Sequence, residues 1–456
     1  MESFASYYRR GAHGHLIGIG GVSMSPLAEV LTGAGLLITG SDMSEGTNTE
    51  HLRSLGLQIH IGHAAENLSP ETEFVVRTAA VHDDNPEVQE AHRRGLPVFE
   101  RTQAWGAIMR DYRNALCISG THGKTTTTSM CTHILMAAER DPTVMIGGTL
   151  PLLHAGHRVG RGDTIIMEAC EYYNSFLSFS PTVAVVLDIE ADHLDFFRDL
   201  EDIKGSFRRF AELVPPDGIV VANADDANTM DALRGLDRPM ITFGLGEAAE
   251  VRAVNIVTRG AQTDFDILRG DELFTSVSLR VPGMHNVMNA LAAAAAACVL
   301  GVSPAAVKYG LAGFTGANRR FEFKGKYNGA DVYDDYAHHP GELKALLNAV
   351  EPLGYRRVIV VFQPHTYTRT QALFDDFLEQ LRRPDLCYLA EIYAAREKNT
   401  VGISSADLAR EIPNSLFFPD NAELEKSLRS MASPGDLILT VGAGDVYRIG
   451  ERLLEG

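Results

Sequence analysis

Short apolar runs alternate with stretches of helical period along most of this chain, and many of the runs end in glycine or an acidic residue. Residues 16–21 run as a strand into glycines, residues 25–32 carry a helical pattern, and residues 36–39 form a second strand, which predicts a βαβ opening. Residues 74–80 read as a further strand and 85–94 as a further helix, while the basic, polar stretch 110–114 predicts an exit linker. A second piece opens with a strand at 115–119, a loop at 120–123 and a helix over 124–138. Apolar runs at 164–169, 182–189 and 218–222, separated by helical stretches, predict a mostly parallel sheet. Between Glu250 and Arg280 the period shortens to alternation with turn residues, which predicts an antiparallel meander, and a helix over 286–300 closes the piece. In the last piece, strands at 331–336, 358–363, 386–393 and 437–441 alternate with helices in a Rossmann-like pattern. The predicted fold is α/β in three domains, 1–113, 114–316 and 317–456: a Rossmann-like domain at each end and a central parallel sheet that carries the meander.

Composition narrows the function. A chain of 456 residues has the length of about three domains. Hydrophobic residues at 45% and charged residues at 22% are ordinary globular usage and exclude disorder as the main state. Asp plus Glu number 59 against 41 Lys plus Arg, and the net charge of −18 repels nucleic acid and anionic membrane, so the balance favours a small-molecule enzyme. The Ala-rich stretch 291–300 falls short of the ~18–20 apolar residues of a membrane span. No apolar segment follows the basic residues near the N-terminus, so no secretory signal and a cytoplasmic chain are expected. Cys117, Cys131, Cys170, Cys298 and Cys387 are odd in number, widely spaced and set in apolar runs, which predicts reduced, buried thiols.

The strongest local signal is Cys117-Ile-Ser-Gly120-Thr121-His122-Gly123-Lys124-Thr125-Thr126 between a predicted strand and a predicted helix. Backbone N–H groups and a helix N-terminus there can hold phosphate oxygens. Lys124 is placed to neutralise the β and γ phosphates, and Thr125 has the hydroxyl position that holds Mg²⁺ in such loops. The strict phosphate-loop pattern wants glycine where Ile118 stands. The plain alternative is a Gly-Thr-rich turn, and the joint occurrence of strand, loop, Lys-Thr and helix favours nucleotide triphosphate binding.

Gly18-Ile-Gly20-Gly21-Val-Ser23 resembles a dinucleotide fingerprint whose third glycine is Ser23, with Asp42 following a second strand as a ribose contact would require. A nicotinamide site, a sugar-nucleotide diphosphate site and a tight βα turn all fit these residues. In the central piece Glu168 and Glu171 flank Cys170, and Glu190, Asp192, His193 and Asp195 follow the run 182–189. The C-terminal ends of parallel strands are where such sheets present ligands. Hard oxygens with one imidazole suit Mg²⁺ or Mn²⁺ and make a poor Zn²⁺ set. Solvated, helix-capping aspartates are the plain alternative. Cys170 has no base beside it and reads as a buried apolar residue. Near the end of the strand 331–336, one of His338 and His339 could serve a substrate carboxylate or phosphate while Asp335 fixes a tautomer or accepts from an amine; equally, His338 and His339 could be surface residues at a helix start before Pro340. Arg319 and Arg320 read either as a solvated charge pair or as a phosphate clamp, with Arg369 similarly open.

Taken together, Gly120-Thr-His-Gly-Lys-Thr-Thr126, Glu168-Ala-Cys-Glu171, Glu190-Ala-Asp-His193-Leu-Asp195, Pro282-Gly-Met-His-Asn286-Val-Met-Asn289, Arg319-Arg-Phe321 and Asp334-Asp-Tyr-Ala-His-His-Pro340 occur in the order seen in the Mur ligases. His15-Leu-Ile-Gly-Ile-Gly-Gly21, Phe362-Gln-Pro-His-Thr-Tyr-Thr-Arg-Thr370 and Gly442-Ala-Gly-Asp445 extend the resemblance over nearly the whole chain. It implies an ATP-dependent ligase of peptidoglycan precursor synthesis that joins L-alanine to the carboxylate of UDP-N-acetylmuramate through an acyl phosphate, releasing ADP and phosphate.

The resemblance also implies roles for the matching positions. UDP-sugar would lie on 1–113 through Gly18, Gly20, Gly21, Ser23 and Asp42; ATP on 114–316 through Gly120 to Thr126, with Asn286 and Asn289 near the adenine. Lys124 and Thr125 would hold the γ phosphate and Mg²⁺ (or Mn²⁺), Glu171 and His193 match metal positions, and Arg320 matches an arginine near the phosphates. Tyr336, His338 and Arg369, in 317–456, match residues around the incoming amino acid. The chain departs from the family at Cys170 and Tyr173, where acidic residues are usual, at Asp188 for a common Asn, and at Thr366 for a common Arg. A peptide-recycling ligase acting on the same sugar nucleotide and a non-ligating UDP-sugar sensor are the alternative readings.

Overall fold

The computed structural model describes residues 3–78, 80–194, 196–395 and 397–455, so Asp195 lies outside the described residues. The chain forms two compact units. The first comprises Met1–Ile189, Ile203–Phe243 and Ala292–Gly310; the second comprises Glu190–Asp202, Gly244–Leu291 and Leu311–Gly456.

Unit one holds two sheets. β1 (His13–Ile17), β2 (Leu37–Asp42), β3 (Gln58–Ile61), β4 (Phe74–Arg77) and β5 (Val98–Glu100) form a parallel sheet in the order β3-β2-β1-β4-β5. The order reverses between β1 and β4, and the glycines after β1 stand at that switch point, where open α/β sheets bind ligands. The second sheet contains β6 (Asn114–Ser119), β7 (Thr143–Leu150), β8 (Ala155–Arg158), β9 (Thr164–Glu168), β10 (Val183–Val186), β11 (Ile219–Asn223) and β12 (Met240–Gly244). Its order within this unit is β12-β11-β10-β6-β9-β7-β8, parallel except for β8. β6 runs between β9 and β10, and all its residues after Asn114 are buried, which is why it reads as one continuous apolar run.

The stretch expected as a linker is structured. Residues Met109–Asp111 form a 3-10 turn, and Asn114 already belongs to β6, where its Nδ2 donates to Thr164 Oγ1 at 3.2 Å. The preceding helix, Arg101–Ile108, joins the two sheets of the unit. Trp105 Nε1 donates to the Ser23 carbonyl at 3.4 Å, and a Cβ on Gly106 would lie 1.8 Å from the Ser178 carbonyl oxygen. The run 182–189 is a strand only over Val183–Val186, because Asp188 turns away to bind the loop after β6. The short strands β3 and β5 and the hairpin β7–β8 carry too little alternation to be read from sequence.

Unit two holds the expected antiparallel meander, β13 (Val251–Arg259), β14 (Gln262–Arg269) and β15 (Glu272–Leu279). It also holds a six-stranded sheet of β16 (Glu322–Tyr327), β17 (Ala330–Asp335), β18 (Arg357–Phe362), β19 (Leu386–Ala390), β20 (Ser415–Phe418) and β21 (Asp436–Val441), in the order β16-β17-β21-β18-β19-β20. All pairs are parallel except the edge strand β16. β21 is buried throughout, and its fully buried Asp436 is held by Arg356 at 2.8 Å and Arg357 at 2.6 Å.

The cysteine expectation holds for Cys117, Cys131 and Cys387, which are buried and free. It fails for Cys298, which is half-buried, and for Cys170, which is exposed because it stands on the turn beyond β9 rather than on the strand. Among the described residues no helix is long and apolar enough to cross a membrane.

Candidate functional site

The loop after β6 is built from glycines at both ends. Gly120 has φ 149° and Gly123 has φ 79°, left-handed conformations that glycine adopts without strain, and the helix Lys124–Ala137 starts directly behind Gly123. Asp188 pins the loop: its carbonyl accepts from Thr121 N at 3.0 Å and its Oδ1 from His122 N at 2.8 Å. Thr125 and Thr126 are buried in the first helical turn. This arrangement directs the first helical amides outward, as an anion site requires.

Lys124 folds back across the loop. Its Nζ donates to the carbonyls of Gly120 (2.5 Å) and Thr121 (3.1 Å) and to Glu171 at 3.0 and 3.2 Å. Burial works against the ammonium charge, and the Glu171 carboxylate more than reverses this, so Lys124 stays protonated. Beside the pair, Thr125 Oγ1 donates to Glu168 Oε1 at 3.0 Å, while Glu168 Oε2 accepts from Gly147 N at 2.7 Å. Thr125, Glu168 and Glu171 therefore gather hard oxygens at the helix start, a donor set that suits Mg²⁺ or Mn²⁺. Although Cys170 is exposed as a residue, its thiol is pushed up to about 11, first by the protein crowded around it and then by Glu171, so it is a neutral thiol. His193, the third residue expected at the metal, belongs to unit two. It has φ 53°, and its Nε2 lies 3.7 Å from Asp192 Oδ2.

The N-terminal glycines form a tight turn at the end of β1. Gly18 N and Ile19 N donate to the Ser41 carbonyl at 2.8 and 2.9 Å, and Gly20 N donates to Asp42 Oδ2 at 2.8 Å. Asp42 thus holds the loop itself. Gly21 N closes the turn on the Gly18 carbonyl at 3.1 Å, and Ser23 offers its carbonyl to Trp105. Behind the turn lies a polar cluster that sequence reading missed. The fully buried Glu87 accepts from Ser41 Oγ at 2.6 Å and from Asn67 Nδ2 at 2.6 Å, with His63 Nδ1 at 3.1 Å. Its members come from separate elements, so no local motif announces it.

In unit two the end of β17 organises the second group. Arg319 donates to Asp334 at 2.9 Å and to the carbonyls of Gly442 (2.5 Å) and Gly444 (3.2 Å), so it is neither a solvated charge nor a phosphate clamp. Asp335 accepts from Phe321 N at 2.7 Å and Ala337 N at 2.8 Å, and therefore fixes backbone rather than a histidine tautomer. Burial pushes Asp335 up to about 6. His338 Nδ1 faces the Tyr336 carbonyl at 3.0 Å and Glu342 Oε2 at 3.3 Å. His339 caps the helix Pro340–Val350, accepting from Gly341 N at 3.2 Å, and is buried rather than on the surface. Arg320 lies over the Tyr336 ring at 5.3 Å and 3.7 Å from Glu342.

The structure brings Tyr336, His338 and Arg369 together through His365. The rings of Tyr336 and His338 are 5.4 Å apart, those of His338 and His365 5.6 Å, and Arg369 Nη1 is 3.3 Å from His365 Nδ1. Burial lowers His365 to about 4, so it is neutral at pH 7. The other face of Arg369 donates to Asp192 Oδ1 at 2.9 Å. Asn286 and Asn289 are buried in the first turns of the helix Met284–Val299, with Asn286 Nδ2 on the Pro282 carbonyl at 2.7 Å and Asn289 Nδ2 on Asn286 Oδ1 at 3.3 Å. Sequence reading missed Asp188 as the loop's anchor and Asp192 as the arginine's partner. Their places at the end of the apolar run 182–189 were the available signal.

Comparison with known proteins agrees with this layout. Residues 13–113 match the Mur ligase family, catalytic domain; residues 118–297 match the Mur ligase middle domain; and residues 319–444 match the Mur ligase, glutamate ligase domain. The chain is 46% identical over 445 residues to a UDP-N-acetylmuramate–L-alanine ligase of Clostridium novyi (strain NT), covering 97% of each protein. It is 45% identical over 449 residues to the protein of the same name from Acetivibrio thermocellus, covering 97% of this chain and 96% of that one. Among solved structures, UDP-N-acetylmuramate-alanine ligase MurC from Thermotoga maritima superposes with a TM-score of 0.79 at 29% identity, covering 97% of this chain and 98% of that one. A murein peptide ligase from Psychrobacter arcticus gives a TM-score of 0.70 at 25% identity, covering 98% of each chain.

Proposed function

The chain belongs to the Mur ligase family, and from that membership we propose its reaction: ATP-dependent joining of L-alanine to the carboxylate of UDP-N-acetylmuramate, with release of ADP and phosphate, in peptidoglycan precursor synthesis. The observation that carries this reading is full-length identity of 46% and 45% to two L-alanine ligases, in a chain that keeps Lys124 and Glu171 paired at the glycine loop. The same identity favours alanine over a recycled peptide. In this reading 1–113 holds the UDP-sugar, 114–316 holds ATP and 317–456 holds the amino acid. The reaction belongs in the cytoplasm, where ATP and nucleotide sugars are available.

A carboxylate is a poor acyl donor, so its oxygen first attacks the γ phosphorus of ATP. The bond to ADP breaks and an acyl phosphate forms. The neutral amine of alanine then attacks the acyl carbon, and the tetrahedral intermediate expels phosphate to leave the amide. In the loop Gly120 to Thr126, Lys124 and the first amides of its helix offset the negative charge of the transferred phosphoryl group. To do so Lys124 exchanges Glu171 for a phosphate oxygen. Thr125 and Glu171 would hold Mg²⁺ or Mn²⁺, with His193 as the imidazole that the resemblance adds; when bound, the ion supplies further charge neutralisation at the phosphates. Asn286 and Asn289 serve the adenine and Arg320 the phosphates. Tyr336, His338 and Arg369 take the amino acid, whose carboxylate suits a guanidinium. Gly18, Gly20 and Gly21 form the turn against which the UDP-sugar lies, their lack of side chains allowing its close approach, with Ser23 and Asp42 shaping that turn.

The test is phosphate release from ATP with UDP-N-acetylmuramate and, separately, L-alanine, glycine, L-serine, the recycled tripeptide or no amine. Release strongest with L-alanine, with the amide product seen by mass, is the expected result. Turnover with the tripeptide alone would replace the reading with the recycling ligase. Silence in every well despite sugar-nucleotide binding would leave a non-ligating sensor.

A further inference from the structure

Arg101 has no role in the reading so far. It opens the helix Arg101–Ile108, and its side chain is half-buried. Among the described residues its guanidinium makes no hydrogen bond or ion pair. The carboxylate next to it in sequence, Glu100, is taken by Arg77 Nε at 3.0 Å. Burial pulls the Arg101 pKa down, with only partial compensation from Cys170 and Glu100. A half-dehydrated cation without a counter-ion is costly to keep, and a guanidinium in that condition is complementary to a planar anion.

Position says which anion. Trp105, four residues on and therefore on the same helix face, donates to the Ser23 carbonyl at the glycine turn after β1. Gly106 is packed directly on the Ser178 carbonyl, in the segment that follows Glu171. That segment starts from Glu171, which holds Lys124 of the phosphate loop. The helix that Arg101 opens therefore runs between the turn assigned to the UDP-sugar and the segment that follows Glu171. A sugar nucleotide whose diphosphate lies against the glycine turn has one further anionic group, the acid that must reach the γ phosphate.

We propose that Arg101 binds the carboxylate of the sugar-nucleotide substrate and aligns it for attack on the γ phosphate. This inference rests on the ligase reading above. A guanidinium there offsets the repulsion between two anions that the reaction must bring together, and its fork fixes the attacking oxygen.

The experiment is calorimetric binding of two sugar nucleotides to the wild-type chain and to Arg101→Ala and Arg101→Lys. UDP-N-acetylmuramate carries the carboxylate, and UDP-N-acetylglucosamine lacks it. Arg101→Ala is expected to weaken UDP-N-acetylmuramate ~10- to 100-fold and to change UDP-N-acetylglucosamine by less than about 3-fold, with Arg101→Lys between. Equal weakening of both ligands would assign Arg101 to the diphosphate or to the fold and overturn the proposal; so would no weakening of either. If Arg101→Ala does not fold, judged by circular dichroism, the same comparison is made with Arg101→Lys. A wild-type chain that does not bind UDP-N-acetylmuramate overturns the ligase reading and this inference together. Wild-type binding with preference retained in the variants overturns the inference alone.

Discussion

Lys124 and Glu171 lie 47 residues apart in sequence and form a buried ion pair, Nζ to Oε2 at 3.0 Å, in which the lysine also bridges the carbonyls of Gly120 and Thr121. The pair keeps each charge satisfied in a dehydrated site and leaves the lysine one exchange away from a phosphate oxygen.

Lys124→Met should reduce L-alanine-dependent phosphate release by at least about 10²-fold. It should also destabilise the chain by about 3 kcal/mol, because a buried carboxylate loses its partner. The double variant Lys124→Met with Glu171→Gln should recover most of that stability and none of the activity. Denaturant unfolding beside the phosphate assay checks this; a double variant no more stable than the single one would show that the pair does not stabilise the fold.

Asp188 holds the loop through one carboxylate oxygen on His122 N. Asn keeps an acceptor there, so Asp188→Asn should leave the KM for ATP within about 3-fold, whereas Asp188→Ala should raise it roughly 10-fold by releasing one charge-assisted bond. Steady-state kinetics with ATP as the varied substrate decides. Equal KM values for the two variants would remove Asp188 as an anchor.

Arg369 is held by Asp192, and both side chains are nearly buried. Asp192→Asn should weaken the hold without emptying it and raise the KM for L-alanine by about 5- to 10-fold, with the KM for ATP unchanged. Arg369→Lys loses the planar fork and should cost more. A rise in the KM for ATP instead would assign the pair to the nucleotide.

Asp335 titrates near 6 in the folded chain, against an ordinary value of 3.8, because it is buried; Arg320 and the N–H groups of Ala337 and Phe321 partly oppose this. A raised carboxyl pKa means that the folded chain binds the proton more tightly than the unfolded one. Its contribution is therefore full below pH 3.8 and is lost as pH rises through about 6. Between these limits wild-type stability should fall by about 3 kcal/mol relative to Asp335→Asn. Unfolding curves of both proteins across pH 4 to 7 measure the difference, and parallel curves would contradict it.

Much of the fold was legible because its signals are local. Strand, glycine turn and helix follow one another within a few residues at 115–138, and there the strand starts one residue earlier and the helix ends one residue earlier than expected. The meander announced itself through alternation, and the order of motifs along the chain named the family. Edge strands β3 and β20, of four residues each, did not show, since a short half-exposed strand is held by its neighbour rather than by its own pattern.

By itself the sequence determined where the phosphate loop begins, which residues could carry charge or bind an ion, and the family to which the chain belongs, all properties of residue type and spacing. Tertiary structure decided partnership. Asp42 turned out to brace the glycine turn, Arg319 to staple β17 to the loop after β21, and Asp192 to meet Arg369 from 177 residues away. Among the described residues it also gave the Arg101 guanidinium no ion pair. Sheet order sets which strand ends meet, and that order depends on packing over the whole domain, so no local pattern carries it.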